Sequence, residues 1–479
     1  MQRQHQKTQT KSARRSLFTW QNILLNLVLI SFLVFINKVG LVGNAIFYGI
    51  LIVMALRSSE GALKALSLSL MATTINQAFV SLSIVFAIGR MVILFVVAWR
   101  FVMDLSQSRS DFMRRGYVLL FFCFCAVTAM GSMINGYFVV VSLLKLLAFS
   151  AGAYAILVGA EVVRVRSSDL TVWCFSLITF CVLLGVVAQV IGAGYGAERN
   201  GVISPFFKGA FFHSQALGVI GAMMLVYLFT VYLFSPYRYK WFTLCLAAAL
   251  TYQLFLTASR TGIGTAMIGC GATLTLAYLT PGTGRRQVRF YLSRLQLTMT
   301  AVVGFILMIF VNFFTGNSLG EKIGGILNKY DRTEGASIEG VLEARLPLIE
   351  QAYANYLVSP LTGIGFGTSY DPLFIAGATW YTAPTEKGFL PMAVLEETGL
   401  SGSLFFWAFI IFFLIYLIRD RNISGFGIFI TMLVANMGEM LFFSFGGAGG
   451  MCWFVVAAGL VLSDRCLTTQ GPAGGRAVY

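Results

Sequence analysis

Long apolar runs alternate with short polar breaks along almost the whole chain, and most runs are about as long as a helix needs to cross a hydrocarbon core. They predict spanning helices over 17–36, 39–56, 65–80, 84–104, 117–135, 138–160 and 170–192. Further runs predict helices over 210–234, 241–257, 260–279, 295–314, 401–418, 423–443 and 448–463. The run at 65–80 is short and holds Asn76 and Gln77; were it and one other weak run re-entrant, twelve crossings would remain. The pattern predicts an all-α polytopic integral membrane protein with twelve to fourteen transmembrane helices.

Composition agrees, since 58% of residues are hydrophobic and 11% charged, against roughly 25% charged in a soluble domain. The net charge of +15 raises the question of a polyanionic partner. The lysines and arginines, however, sit in short clusters between apolar runs, so membrane topology accounts for them and nucleic acid is not expected. The basic stretch "MQRQHQKTQTKSARR" has no small-residue cleavage pattern after it and reads as a retained tail, 1–16. With that tail inside, alternate loops at 57–64, 108–115, 164–169, 237–240, 285–294 and 419–421 all carry the positive clusters. Both termini are then cytoplasmic, including the 464–479 tail. The eight cysteines show no CxxC or His/Cys metal spacing, and seven fall in apolar runs, where they read as small core residues.

The chain divides into an N-terminal helical part (17–192), a middle part (193–314), a long outer segment (315–400) and a C-terminal helical part (401–463). Three polar features fall on the outer side: the connection 192–210, the segment 315–400, and Arg260 in "FLTASRTGIGTAMIG". An arginine at membrane depth costs at least about 2.5 kcal/mol, so it needs either an escape to water or a task.

A segment of around 85 residues without a spanning run is long for a connection, and its composition argues for order. In "GVLEARLPLIEQAYANYLVSP", Val341, Leu342, Leu346, Leu348, Ile349, Ala352, Tyr353 and Tyr356 recur at helical spacing, opposite Glu343 and Glu350. Arg345 lies at the edge of that apolar face, where it fits a snorkelling side chain as well as a ligand. Pro360 should end the helix. Gly363, Gly365 and Gly367 follow in "GIGFGTSYD" and read as a turn. Glu386 and Lys387 lead into an apolar-periodic helix ending near Gly399; Glu396 and Glu397, adjacent in sequence, do not face each other as a catalytic pair.

Four segments, in this order, carry a resemblance: "ERNGVISPFFKGAFFHSQALG" (198–218), "SRTG" (259–262), "EARLPLIEQAYANYLVSPLTGIGFGT" (343–368) and "LEETGLSG" (395–402). Together they resemble the O-antigen ligase and O-antigen polymerase superfamily of bacterial inner-membrane glycosyltransferases, over roughly residues 195–445. The resemblance implies a glycosyltransferase C-like helical fold and a periplasm-facing site acting on a glycan carried by undecaprenyl pyrophosphate. The acceptor it implies is a second glycan (polymerase) or lipid A core (ligase), and its partners include a chain-length regulator or other polysaccharide-assembly proteins. It also gives the arginines a task, because guanidinium forks suit phosphate oxygens in a partly dry site. Arg260, then Arg345 and Arg199, are the implied pyrophosphate ligands, with no metal or other cofactor.

One departure matters. Gly388 and Phe389 stand where the ligases carry a His-Asn pair, so the usual base is absent. Glu386 could take the acceptor's proton or could pair with Lys387 or an arginine. His213 in "FFHSQ" is the other candidate base, and it fits a helix-end hydrogen bonder equally well. The missing histidine favours a repeat-unit polymerase over a ligase. A lipid-linked glycan flippase remains the rival of another class, although no internal repeat of the kind transporters show is found.

Overall fold

The computed structural model describes residues 19–81, 83–107, 116–136, 138–166, 169–197, 203–234, 240–279, 346–368 and 388–462. The first seven helices are α1 (Trp20–Ile36), α2 (Leu41–Arg57), α3 (Ser59–Thr74), α4 (Ile84–Gln107), α5 (Gly116–Asn135), α6 (Val139–Arg166) and α7 (Asp169–Val190). A two-stranded antiparallel hairpin, β1 (Tyr195–Ala197) and β2 (Ile203–Phe207), follows. Then come α8 (Ser214–Phe234), α9 (Lys240–Leu256), α10 (Arg260–Leu279), α11 (Leu346–Val358), α12 (Leu390–Arg419), α13 (Ile423–Ala435) and α14 (Ala448–Val461).

Among the described residues, eight helices are long and apolar enough to cross a membrane, and four shorter apolar helices (α2, α9, α13 and α14) accompany them. A helix satisfies its own backbone polar groups, the condition for lying in hydrocarbon. The chain is a multi-pass helical membrane protein. Every residue of α14 is buried, and α7 is buried along most of its length, so both stand inside the bundle. Leu25, Val28 and Phe32 of α1 and Ile84, Ile88 and Trp99 of α4 face outward, as lipid-facing side chains do. Small residues let helices meet closely: a Cβ on Gly262 of α10 would lie 2.6 Å from the Gly218 carbonyl oxygen of α8.

The described parts of the connections, 37–40, 75–81, 191–197, 203–213, 359–368 and 436–447, gather at one end of the bundle, tied by hydrogen bonds. Asn76 N–H donates to the Ala210 carbonyl (2.8 Å), Phe212 N–H to Thr74 (2.9 Å) and Leu390 N–H to Asn436 (3.0 Å). Asn135 Nδ2 donates to Ser359 Oγ at 2.9 Å. These are the connections that the charge count puts on a common side.

Several expectations need correction. The predicted loop 57–64 is one residue, Ser58: its Oγ caps α3 by accepting from Gly61 N–H (3.0 Å), and the charges Glu60 and Lys64 pair along the first turns at 2.5 Å. The span placed at 65–80 therefore runs 59–74, and Asn76 lies in the connection after it. The span placed at 423–443 stops at Ala435. There Asn436 Nδ2 donates to the Met432 carbonyl (2.7 Å) while its Oδ1 accepts from Leu441 N–H (2.7 Å) and Phe442 N–H (2.6 Å), turning the chain. The hairpin β1–β2 is a small addition to an architecture that is helical as expected. The span 84–104 stands as expected within a helix that runs on to Gln107, the helix at 138–160 extends to Arg166, and 210–234 starts at Ser214. Cys245 is exposed rather than in the core. The run 295–314 lies outside the described residues.

Helix α11 forms where periodicity predicts it and Pro360 follows its end, but the packed face is narrower than expected, with Ala352 on it and Asn355 beside it. Leu346, Leu348 and Tyr353 are exposed, and the buried residues are Ala352 and Asn355. Asn355 is inside because it has a carboxylate to serve.

Candidate functional site

Two assemblies stand at the tied end. The first is the glycine turn after α11, laid across a break in α12. Gly399 interrupts that helix with φ 63° and ψ −172°, a conformation almost confined to glycine. The break orphans backbone groups, and the turn satisfies them. Ile364 N–H donates to the Glu396 carbonyl (2.9 Å) and Gly365 N–H to the Glu397 carbonyl (3.3 Å). In return Leu400 N–H donates to Pro360 (2.8 Å) and Ser401 N–H to Leu361 (3.1 Å). Gly363, at φ 73°, lets the strands of chain touch, since a Cβ there would lie 2.5 Å from the Glu397 carbonyl carbon.

Side chains then lock the turn. Glu397 is 2% exposed and its Oε2 accepts from Gly367 N–H at 2.7 Å; Glu396 is fully buried and its Oε1 accepts from Asn355 Nδ2 at 2.7 Å. The two acids have separate partners, as adjacent helix positions require. From α6, Lys145 Nζ donates to the Gly367 carbonyl (2.6 Å) and Ser142 Oγ to the Phe366 carbonyl (2.8 Å). Phe366 is buried against Phe443 (ring centroids 4.9 Å apart) and Phe149 (5.5 Å). The turn is thus a rigid platform, with Gly363, Gly365 and Gly367 doing what the sequence assigns them.

The second assembly joins the starts of α8 and α10. Ser259 Oγ accepts from Gly262 N–H at 3.1 Å, the geometry of an N-cap, so "SRTG" reads as cap, first, second and third helical positions. Gly262 meets Gly218, and a Cβ on Gly218 would lie 2.5 Å from Ser259 Oγ, which fastens the two helix starts side by side. Arg260, half-buried, therefore occupies the first position of α10. A cation there meets the positive end of the helix dipole and costs about 0.3–1 kcal/mol on its own, whereas an anion held between the two would be favoured by both. Beside it, His213 Nδ1 accepts from Gln215 N–H at 3.2 Å. His213 thus acts as a hydrogen bonder at the start of α8.

Of the residues expected in the site, Arg260 and His213 are brought to neighbouring helix starts. Arg199, Arg345, Glu386 and Lys387 lie outside the described residues. Gly388 has φ 61°, a left-handed conformation that glycine adopts without strain. The sequence reading passed over Lys145, Asn355 and Arg90. Lys145 and Arg90 had a signal, being charges inside apolar runs; Asn355 had none, because a polar residue at the edge of an apolar face does not reveal a buried partner. Among the described residues no group of three or more His, Cys, Asp or Glu gathers as a metal site. Compared with protein-family models and with curated proteins, the chain has no match.

Proposed function

We propose that this chain is a membrane glycosyltransferase that acts on the periplasmic face of the bacterial inner membrane. It takes a glycan from undecaprenyl pyrophosphate and extends a polysaccharide by repeat units. The observation that carries the reading is Arg260 at the first position of α10, a guanidinium added to the positive end of a helix dipole and packed beside a second helix start. As the anomeric bond breaks, charge grows on the departing pyrophosphate, and donors fixed before the reaction stabilise it. Arg345 and Arg199 are the further ligands in this reading, and Glu386 is the base that removes the acceptor's proton. Gly388 and Phe389, standing where the ligases carry a His-Asn pair, favour a polymerase over a ligase. A deletion strain tests the assignment. Loss of a polymerase leaves single repeat units, loss of a ligase leaves long polymer on the lipid carrier, and the first result is expected. Stranded polymer would sink the polymerase reading, and normal surface polysaccharide would sink both.

A further inference from the structure

Arg90 is a guanidinium in the apolar helix α4, six residues beyond its start and so about 9 Å along its axis. It does not point to lipid. Phe86, Ile93, Leu94 and Val97, which share its face at helical spacing, are all buried, while Ile88, Val92 and Phe95 on the other side are exposed. Its Nη1 donates to the Gly446 carbonyl at 2.6 Å, and its Nε is enclosed with no hydrogen-bond partner. Among the described residues no carboxylate stands within ion-pairing distance of it. Among the described residues one carbonyl therefore serves a side chain with five N–H donors, and no counter-ion faces the charge. The guanidinium leaves the lipid-facing side and reaches over the turn 444–447, where Ser444 and Gly446 are exposed and its bond to Gly446 is open to the medium. The same turn lies at the tied end of the bundle, as Arg260 does.

We propose that Arg90, held over Gly446, is a phosphate-binding residue for a lipid-linked pyrophosphate entering the tied end of the bundle. The identity of the carrier rests on the function proposed above; the demand for an anion rests on Arg90 itself. A charge on the packed face of a membrane helix marks a ligand path, and a planar fork that keeps Nη2 and one Nη1 hydrogen uncommitted among the described residues matches phosphate oxygens. Gly446 keeps the approach open, because its missing side chain would stand 3.6 Å from Arg90 Nη2.

The test uses the purified full-length protein and farnesyl pyrophosphate as probe. Phenylglyoxal modification is followed at individual arginines by peptide mass spectrometry, with and without the probe. The expected result is slower modification of both Arg90 and Arg260. In parallel, R90K and R90Q, checked for monodisperse elution, should weaken probe binding on the order of tenfold, as expected for losing a charge-assisted fork. Unchanged binding in both variants overturns the proposal. So does protection of Arg90 by phosphatidylglycerol vesicles that farnesyl pyrophosphate does not match. Protection of Arg260 with none at Arg90 removes this inference and leaves the proposed function standing. Protection of Arg90 alone supports the inference and removes Arg260 from the proposed mechanism.

Discussion

Replacing Gly399 by alanine should loosen the platform under the glycine turn. At φ 63° and ψ −172° an L side chain is strained by about 1–3 kcal/mol. The new Cβ would also lie 2.5 Å from Gly363 N and still closer to the Leu361 carbonyl carbon, both main-chain atoms that cannot rotate away. The two chain segments must separate. Four backbone hydrogen bonds cross between them, from Ile364, Gly365, Leu400 and Ser401. Losing two of the four at about 1 kcal/mol each brings the total to about 3–5 kcal/mol. The matched control is G264A, also a glycine in a helix of this bundle, where an added Cβ meets nothing within 4 Å. Unfolding of the purified proteins in mild detergent, followed by cysteine-reactive dye or by denaturant titration, measures the difference. G399A should unfold well before wild type and G264A should match wild type or exceed it. If G399A and G264A unfold together, the turn does not depend on the break and the packing argument fails.

Other substitutions probe the remaining contacts. S259A removes the cap of α10 and should cost about 1 kcal/mol, while S259D should retain most of it; equal losses in the two unfolding curves would contradict the cap. G262V should push α10 off Gly218 and lower both the yield of folded protein and its product, whereas G271A, where a Cβ meets nothing, should do neither. E397A leaves the Gly367 N–H without its carboxylate and should destabilise by about 1–3 kcal/mol, with E397Q milder because an amide oxygen can still accept. Matching unfolding midpoints for E397A and E397Q would show that the bond to Gly367 is unimportant.

Much of this architecture is legible in the apolar runs, since a run of 20 uncharged residues leaves few alternatives to a helix in lipid. The failures have physical causes. The polar string around Ser58 looks like a solvated loop, yet a serine cap and an i, i+4 ion pair absorb its polarity within a helix start. The end of α13 depends on Asn436 bonding its own backbone, an effect that hydropathy does not register. On α11 Asn355, which serves a buried glutamate from another helix, joins Ala352 on the packed face while Leu346, Leu348 and Tyr353 stay exposed, so apolar periodicity marks only part of that face. In the site, the cap and crossing in "SRTG" follow from residue type and spacing. The burial of Glu396 and Glu397 does not, because it arises from a turn some thirty residues earlier folding over the Gly399 break.

The most direct measurement is transfer by the purified protein, reconstituted in liposomes with its lipid-linked repeat unit, comparing wild type with R260K and R260A. The substitutions leave Ser259 and Gly262 in place, so the helix start should persist and the protein should remain inserted. Lysine keeps the charge but loses the fork, and the predicted result is loss of polymer longer than one repeat unit in both variants. Polymer of wild-type length from R260A would contradict the assignment of Arg260 to the pyrophosphate.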